Sequence, residues 1–277
     1  MSKYLLTVLF LLTGPFLRAQ VIGDLLEDET VLYAETKQVN QFFRRFNSEE
    51  DGQGEKIYPG NPAYRDNYLR KQTLPLIFDQ ESTQISKNIK ASFIKDVTDS
   101  KDPVYLDFHG GEWFAEVVVN VIYKGVNNEA HLFLKLQEEP VGSKWVLTQV
   151  YFKPFTNMFF KDPDGTDKFL HPLSHELDFM NLGKVFRVES QVEYYTYQNF
   201  VPDFLSIFIY ELKMERLQFV GVKKVNFHFF QVEGYYFKLE EFNRSGFNNG
   251  WLITKLDEID LPAKNQILND IYYEETK

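Results

Sequence analysis

Apolar residues recur every third or fourth position through the first hundred residues and mostly at alternate positions after Val104. The first spacing predicts helices and the second predicts strands, because side chains share a helix face once per turn and a strand face every second residue. In VLYAETKQVNQFFRRF, Leu32, Val39, Phe42, Phe43 and Phe46 form one stripe. After the loop NSEEDGQGEKIYPG, Asn61 and Pro62 suit a helix start, and Pro75 ends that helix after Thr73. Ile85, Ile89, Phe93 and Val97 recur every fourth residue and predict an amphipathic helix.

Alternation then takes over. VYLDF places Val104, Leu106 and Phe108 on one face, HGG turns the chain, and EWFAEVVVNVIYKG follows as a long strand. GVNN leads into AHLFLKLQEE, and PVGS leads into KWVLTQVYF. KDPDGTDKF, rich in acid with Pro and Gly, reads as a linker over residues 161–170. Beyond it the scheme restarts. LSHELDFMNLGKVF and PDFLSIFIYELKM are helical in pattern. RLQFVGV, KVNFHFFQV, YYFKLEEF and WLITKLDEI read as strands, and the tail from Leu261 reads as a short helix or loose chain.

The two halves share residues as well as element order. LFLKLQEEPVGSKWVLT (Leu132 to Thr148) matches YYFKLEEFNRSGFNNGWLIT (Tyr235 to Thr254), with Lys135 and Leu136 against Lys238 and Leu239 and Trp145 against Trp251. The turn between these landmarks is longer in the second copy, and turns tolerate insertion best. A duplication is expected, with a first module at 20–160 and a second at 171–277. Helices followed by an antiparallel sheet, with a Trp in a late strand, resemble the cystatin-like and nuclear-transport-factor-two-like superfamily. The resemblance implies an α+β fold of two similar cone-like modules, each with N-terminal helices packed on a curved antiparallel sheet. Its members include small isomerases and dehydratases, binding modules and periplasmic parts of secretion systems, so fold alone does not choose among functions.

Strand parity sorts residues 112–125 into two faces. Trp113, Ala115, Val117, Val119, Val121 and Tyr123 share one face, which is apolar throughout and should meet the helices. Glu112, Phe114, Glu116, Val118, Asn120, Ile122 and Lys124 share the other. This points Glu116 and Asn120 outward, with Lys135 on the next strand as an expected partner for Glu116. The outward face is half apolar, and such faces are usually covered. Phe114, Glu116, Val118, Asn120, Ile122, Phe133 and Lys135 are therefore the candidate interface. The expected partner is protein: the chain's own second module, a second copy or an envelope component.

Composition adds a compartment. MSKYLLTVLFLLTGPFLRAQ carries Lys3, an apolar run from Tyr4 to Leu12 and a Gly14-Pro15 break, the pattern of a signal peptide over residues 1–19. The run is short of the ~20 apolar residues of a membrane span, so cleavage would leave no stable span. An uncleaved N-terminal anchor is the alternative. A secreted or periplasmic location is expected. The absence of Cys excludes a disulfide framework and thiolate chemistry. A net charge of −10, made more acidic by loss of Lys3 and Arg18, argues against nucleic acid as a partner. The local basic groups RRF and RDNYLRK read as solvated helix faces.

The constellations that carry chemistry are sparse. Asp107, His109 and Glu112 surround the HGG turn and read as a polar hairpin tip rather than an acid–base pair. His171 and His175 have helical metal-ligand spacing, but Pro172 separates them and no further ligand pattern follows. Asp162, Asp164 and Asp167 miss the spacing of a calcium loop. In the pairs around Tyr194–Tyr197, Tyr235-Tyr236 and Tyr272-Tyr273, one ring is expected to pack inward and its neighbour to cover the sheet. No catalytic residue, cofactor or metal is assigned. Parity places no acid or His inside a cone, so an exported non-catalytic binding or assembly protein is the leading reading. A small pocket enzyme of isomerase or dehydratase type, or a component of a secretion or conjugation apparatus, is the alternative.

Overall fold

The computed structural model describes residues 39–140, 142–159, 182–187, 189–197, 199–245 and 248–273. The signal segment, Leu32, the linker with its three Asp, and His171 and His175 lie outside the described residues.

Six strands form one antiparallel sheet: β1 (Trp113–Tyr123), β2 (Val126–Glu139), β3 (Gly142–Tyr151), β4 (Leu217–Phe229), β5 (Tyr235–Phe242) and β6 (Gly250–Glu258), in the order β3-β2-β1-β4-β5-β6. Each strand triplet is a meander, and β1 pairs with β4 at the centre, from Trp113 opposite Phe229 to Tyr123 opposite Leu217. Helices precede each triplet: α1 (39–47), α2 (Asn67–Thr73) and α3 (Lys87–Val97) before the first, and α4 (Lys153–Met158), α5 (Leu182–Val185) and α6 (Phe204–Lys213) before the second. α7 (Leu261–Tyr272) ends the described chain. The class is α+β.

One sheet face carries the main core, as the alternation predicts. Val39, Phe42, Phe43 and Phe46 of α1 are buried there with Phe93 and Val97 of α3, Phe208 of α6, and Trp113, Val117, Phe229 and Phe237 of the sheet. Aromatic rings dominate it: Phe43 lies 4.9 Å from Trp113, and Phe229 stacks on Phe237 at 4.8 Å. α7 covers part of the opposite face, where Ile267, Leu268, Ile271 and Tyr272 pack on Phe114, Phe133, Phe230 and Tyr236. The sheet is thus the middle layer of three.

Both outer strand pairs are bulged at a Thr. Thr148 is the extra residue of β3 against β2, and Thr254 is the extra residue of β6 against β5. Thr148 Oγ1 donates to the Phe133 carbonyl at 3.0 Å, and Thr254 Oγ1 donates to the Lys238 carbonyl at 3.4 Å. Aligning the two bulges sets Leu134, rather than Leu136, against Leu239, and Trp145 against Trp251.

Several local expectations change. RLQFVGV and KVNFHFFQV are one strand, because Val220 and Lys223 are accommodated as bulges opposite β1. The helix expected from Asn61 starts at Asn67: residues 61–65 are turns, and Asp66 accepts from the Leu69 N–H as N-cap at 2.8 Å. VYLDF is extended but joins no ladder, since the side chain of Asn47 takes both Leu106 backbone groups at 2.8 Å.

Arg70 is the largest departure from a solvated basic face. It is fully buried and, among the described residues, meets no carboxylate. Its guanidinium donates to the carbonyls of Phe46, Val97 and Val104 at 3.1, 3.1 and 2.6 Å, and to Asn67 Oδ1 at 3.1 Å. Phe46 and Val97 lie at the C-terminal ends of α1 and α3, where carbonyls lack helical partners and the helix dipole is negative. The ring of Tyr105 lies 4.4 Å from the same guanidinium. Arg70→Ala is expected to lower stability by about 3 kcal/mol, because it strands three buried carbonyls. Arg70→Lys should recover less than half of this, since one ammonium cannot reproduce the planar fork. Urea unfolding midpoints of the three proteins check both statements.

Candidate functional site

Two places gather chemistry, one on each face of the sheet. On the α7 face, β1, β2, β4 and β5 bring Glu116, His131, Asn226, His228 and Tyr236 together. Register explains the grouping: Glu116 stands opposite Asn226 on one side and Phe133 on the other, so His131 and His228 are its diagonal neighbours. Glu116 Oε1 lies 2.7 Å from His131 Nδ1, and Oε2 lies 3.2 Å from His228 Nε2 and 2.8 Å from Asn226 Nδ2. Lys135, the partner expected from sequence, instead sits exposed with its ammonium 6.0 Å from the Phe114 ring.

The charge state of this cluster follows from its bonds. Burial acts to raise the Glu116 carboxyl, but hydrogen bonds from His131, His228 and Asn226 outweigh it and hold the group well below its ordinary 4.5. Burial pushes His228 below its ordinary 6.5, against the opposing pull of Glu116. An anionic Glu116 beside a neutral His228 satisfies both directions. Nε2–H of His228 then donates to Glu116, and its Nδ1 accepts from the Tyr236 hydroxyl at 2.9 Å. Burial holds the Tyr236 phenol well above its ordinary 10.0, so it keeps the proton it donates. At the far end, Tyr273 stacks on Tyr151 at 4.0 Å, and its hydroxyl approaches His131 Nδ1 at 3.3 Å and Nε2 at 3.4 Å. Burial, with Glu116 and Tyr151 nearby, pushes the Tyr273 phenol up to about 12.

This network spends its polar atoms on itself. Glu116 accepts from three donors, and the Asn226 Oδ1 is its one buried atom without a partner. Tyr273 follows α7 in a left-handed conformation, φ 57°, a strained choice for Tyr that its ring contacts offset. The cluster therefore fastens the end of α7 to the sheet. Of the other candidate interface residues, Phe114, Val118 and Phe133 are buried, Ile122 is half-buried and Asn120 is exposed.

The second place is a cleft of about 530 Å³ on the helix face, between α1 and the β5–β6 hairpin. Gln41, Phe42 and Arg45 line one wall; Glu241, Phe242 and Asn243 of the β5 end and Asn249, Gly250 and Trp251 at the start of β6 line the other. Glu241 is the residue that sequence reasoning passed over. In YYFKLEEF it shares its face with Tyr235, Phe237 and Leu239, so an acid interrupts a core-facing series. That break in alternation was the available signal. Glu241 is exposed, has no hydrogen bond or ion pair among the described residues, and partial desolvation pushes its carboxyl above the ordinary 4.5. Arg45 donates through Nε to Glu50 at 3.3 Å. Its two Nη groups have no hydrogen bond to a described residue. Trp251 is buried, and among the described residues its indole N–H has no acceptor.

Among the described residues the acids and His of the HGG turn make no acid–base pair with one another. Asp107 Oδ1 accepts from the His109 N–H at 2.9 Å, His109 Nδ1 pairs with the Ser143 hydroxyl at 2.9 Å, and Glu112 pairs with Lys264 of α7. Gln231 clamps this turn by bonding both backbone groups of Asp107 and the Gly110 carbonyl. Tyr235 packs into the main core and donates to Asp96 at 2.7 Å, while Tyr236 points to the other face. Among the described residues no group of three or more His, Asp and Glu is arranged to hold a metal, and no helix is long and apolar enough to cross a membrane. Comparisons of the chain with protein-family models, with curated proteins and with solved structures each return no match.

The network makes stability acid-sensitive. His228 binds protons less readily when folded, so stability is full above pH 6.5 and declines as pH falls below it. Glu116 adds a second loss below pH 4.5, because protonation removes its acceptor role. Glu116→Gln is expected to cost about 2 kcal/mol at pH 7, since an amide cannot accept from all three donors. Denaturant melts across pH should show this gap narrowing below pH 4.5.

Proposed function

We propose that the protein is an exported, non-catalytic binding protein whose ligand site is the cleft between α1 and the β5–β6 hairpin. The observation that carries this is the contrast between the two carboxylates. Glu116 is saturated by its own neighbours, whereas Glu241 lines a cleft of ligand size with no partner among the described residues. Glu241 stays open to solvent, so a ligand in the cleft can reach it. The cleft brings no Ser, Cys, His or second acid beside Glu241, which favours binding over catalysis.

Two further parts of the reading rest on sequence and symmetry. Export rests on the N-terminal pattern of Lys3, an apolar run and a Gly-Pro break. Descent of the two strand triplets from one module, in the manner of the cystatin-like and nuclear-transport-factor-two-like proteins, is supported by the Thr bulges. Carried across the ladders, they relate Glu116, opposite Phe133, to His228, opposite Lys238. Ala115 then corresponds to Phe227, and these two residues face each other across β1 and β4, as a twofold axis at the sheet centre requires.

A pocket enzyme is the second reading, because Glu241 is the cleft acid that proton abstraction would need. Calorimetric titration with small polar ligands separates the two. A binding protein should yield a ligand that is recovered unchanged, with affinity reduced about tenfold by Glu241→Gln and preserved in Glu116→Gln where that variant is folded. Conversion of the ligand, abolished by Glu241→Gln, would support the enzyme. Intact mass of the protein recovered outside the cytoplasm should start the chain at Gln20; a retained Met1 would favour the anchored alternative.

A further inference from the structure

We infer that the cleft is built for a small zwitterion: a free amino acid or short peptide whose ammonium meets Glu241 and whose carboxylate meets the Nη groups of Arg45. This rests on the binding reading above and names its ligand class.

The charges that line the cleft carry the argument. Arg45 stands on the helix wall and Glu241 on the sheet wall, and among the described residues they make no ion pair with each other. Each therefore faces the cleft with bonding capacity left over. Both side chains are open to solvent; Glu241 has no hydrogen bond or ion pair among the described residues, while Arg45 commits one of its five N–H donors to Glu50. The cleft thus keeps two opposite charges apart, and the ligand that complements both carries both. A dianion would meet Glu241 with repulsion, and a simple cation would leave the guanidinium without a counter-charge.

The aromatic residues argue against a sugar. Carbohydrate sites present an open aromatic face for stacking, but Phe42 is 2 % exposed and Trp251 is 5 % exposed, and the third ring of the lining, the half-buried Phe242, has the Arg244 guanidinium over it at 4.5 Å. Amide side chains fill the rim instead: Gln41, whose Nε2 is already given to Glu50 at 2.8 Å, presents its carbonyl oxygen, and Asn243 is exposed. These match the donors and acceptors of a peptide backbone.

Glu50 shows that the scaffold tolerates substitution at Arg45. Its carboxylate also accepts from Arg44 Nε at 3.1 Å and from Gln41, so loss of Arg45 leaves it paired.

Isothermal calorimetry of the full chain with leucine, glycyl-leucine, N-acetyl-leucine, leucinamide and maltose tests the inference. Leucine or glycyl-leucine should bind, and blocking either charge should weaken binding about tenfold or more. Glu241→Gln should remove the difference between leucine and N-acetyl-leucine. Arg45→Gln should remove the difference between leucine and leucinamide. Circular dichroism melts of both variants confirm that they are folded. Equal affinity for free and blocked probes, or binding of maltose alone, would overturn the zwitterion class and leave the cleft a binding site. No binding by any of the five at millimolar concentration would overturn both.

Discussion

The pairing of β1 with β4 holds the molecule together as one body. Without it each strand triplet would end in an open edge, and neither could present a face wide enough to bury the helices on it. With it, Trp113 of β1 stacks on Phe229 of β4 at 5.3 Å, Phe43 of α1 closes over both, and Phe93 of α3 packs on Phe237 of the neighbouring β5. The same pairing fixes the opposite face. Placing Glu116 opposite Asn226 and beside His228 is a consequence of register, and a slip of one residue would reverse every side chain between the faces. The polar cluster is thus both a product of this ladder and a lock on its register.

The two faces handle charge in opposite ways. On the α7 side a carboxylate is taken into an apolar setting and kept ionised by three donors, none of them a Lys or Arg. A similar solution recurs with reversed sign at Arg70, whose cation is held by the carbonyl ends of two helices. The charged groups of both are satisfied from within the protein. The cleft differs. Glu241 is exposed with no donor among the described residues, and Arg45, paired through Nε with Glu50, has Nη groups with no hydrogen bond to a described residue. These two solvent-facing charges are the ground for proposing the cleft, rather than the α7 face, as the ligand site.

Much of the architecture was legible because periodicity reports it directly. The α1 stripe, the recurrence from Ile85 to Val97 and the alternation through Trp113 to Tyr123 each gave an element of the right type on the right face. Parity also separated Phe114 and Glu116 from Val117. Long-range placement escaped it. No local pattern says that β1 lies beside β4, and therefore none says that Glu116 meets His228, which is more than a hundred positions away. Arg70 looked like a surface base because its partners are backbone carbonyls, which leave no mark in sequence. The tail from Leu261 read as a short helix or loose chain, and the helix is what forms; its cover of the sheet was not legible, because it depends on four apolar residues spaced along one helix. Glu241 alone was within reach, as the single acid in the series Tyr235, Phe237, Leu239.

Glu116 is a buried carboxylate satisfied by its neighbours, whereas Glu241 is a solvent-exposed one with no donor among the described residues. Site-resolved carbon NMR titration of the glutamate side-chain carboxyls measures this directly. Glu241 should titrate above 4.5, and Glu116 should remain ionised at every pH at which the protein stays folded. A Glu241 carboxyl titrating below 4.5, or a Glu116 carboxyl protonating within the folded range, would contradict the assignment of the cleft as the open site and of the α7 network as the closed one.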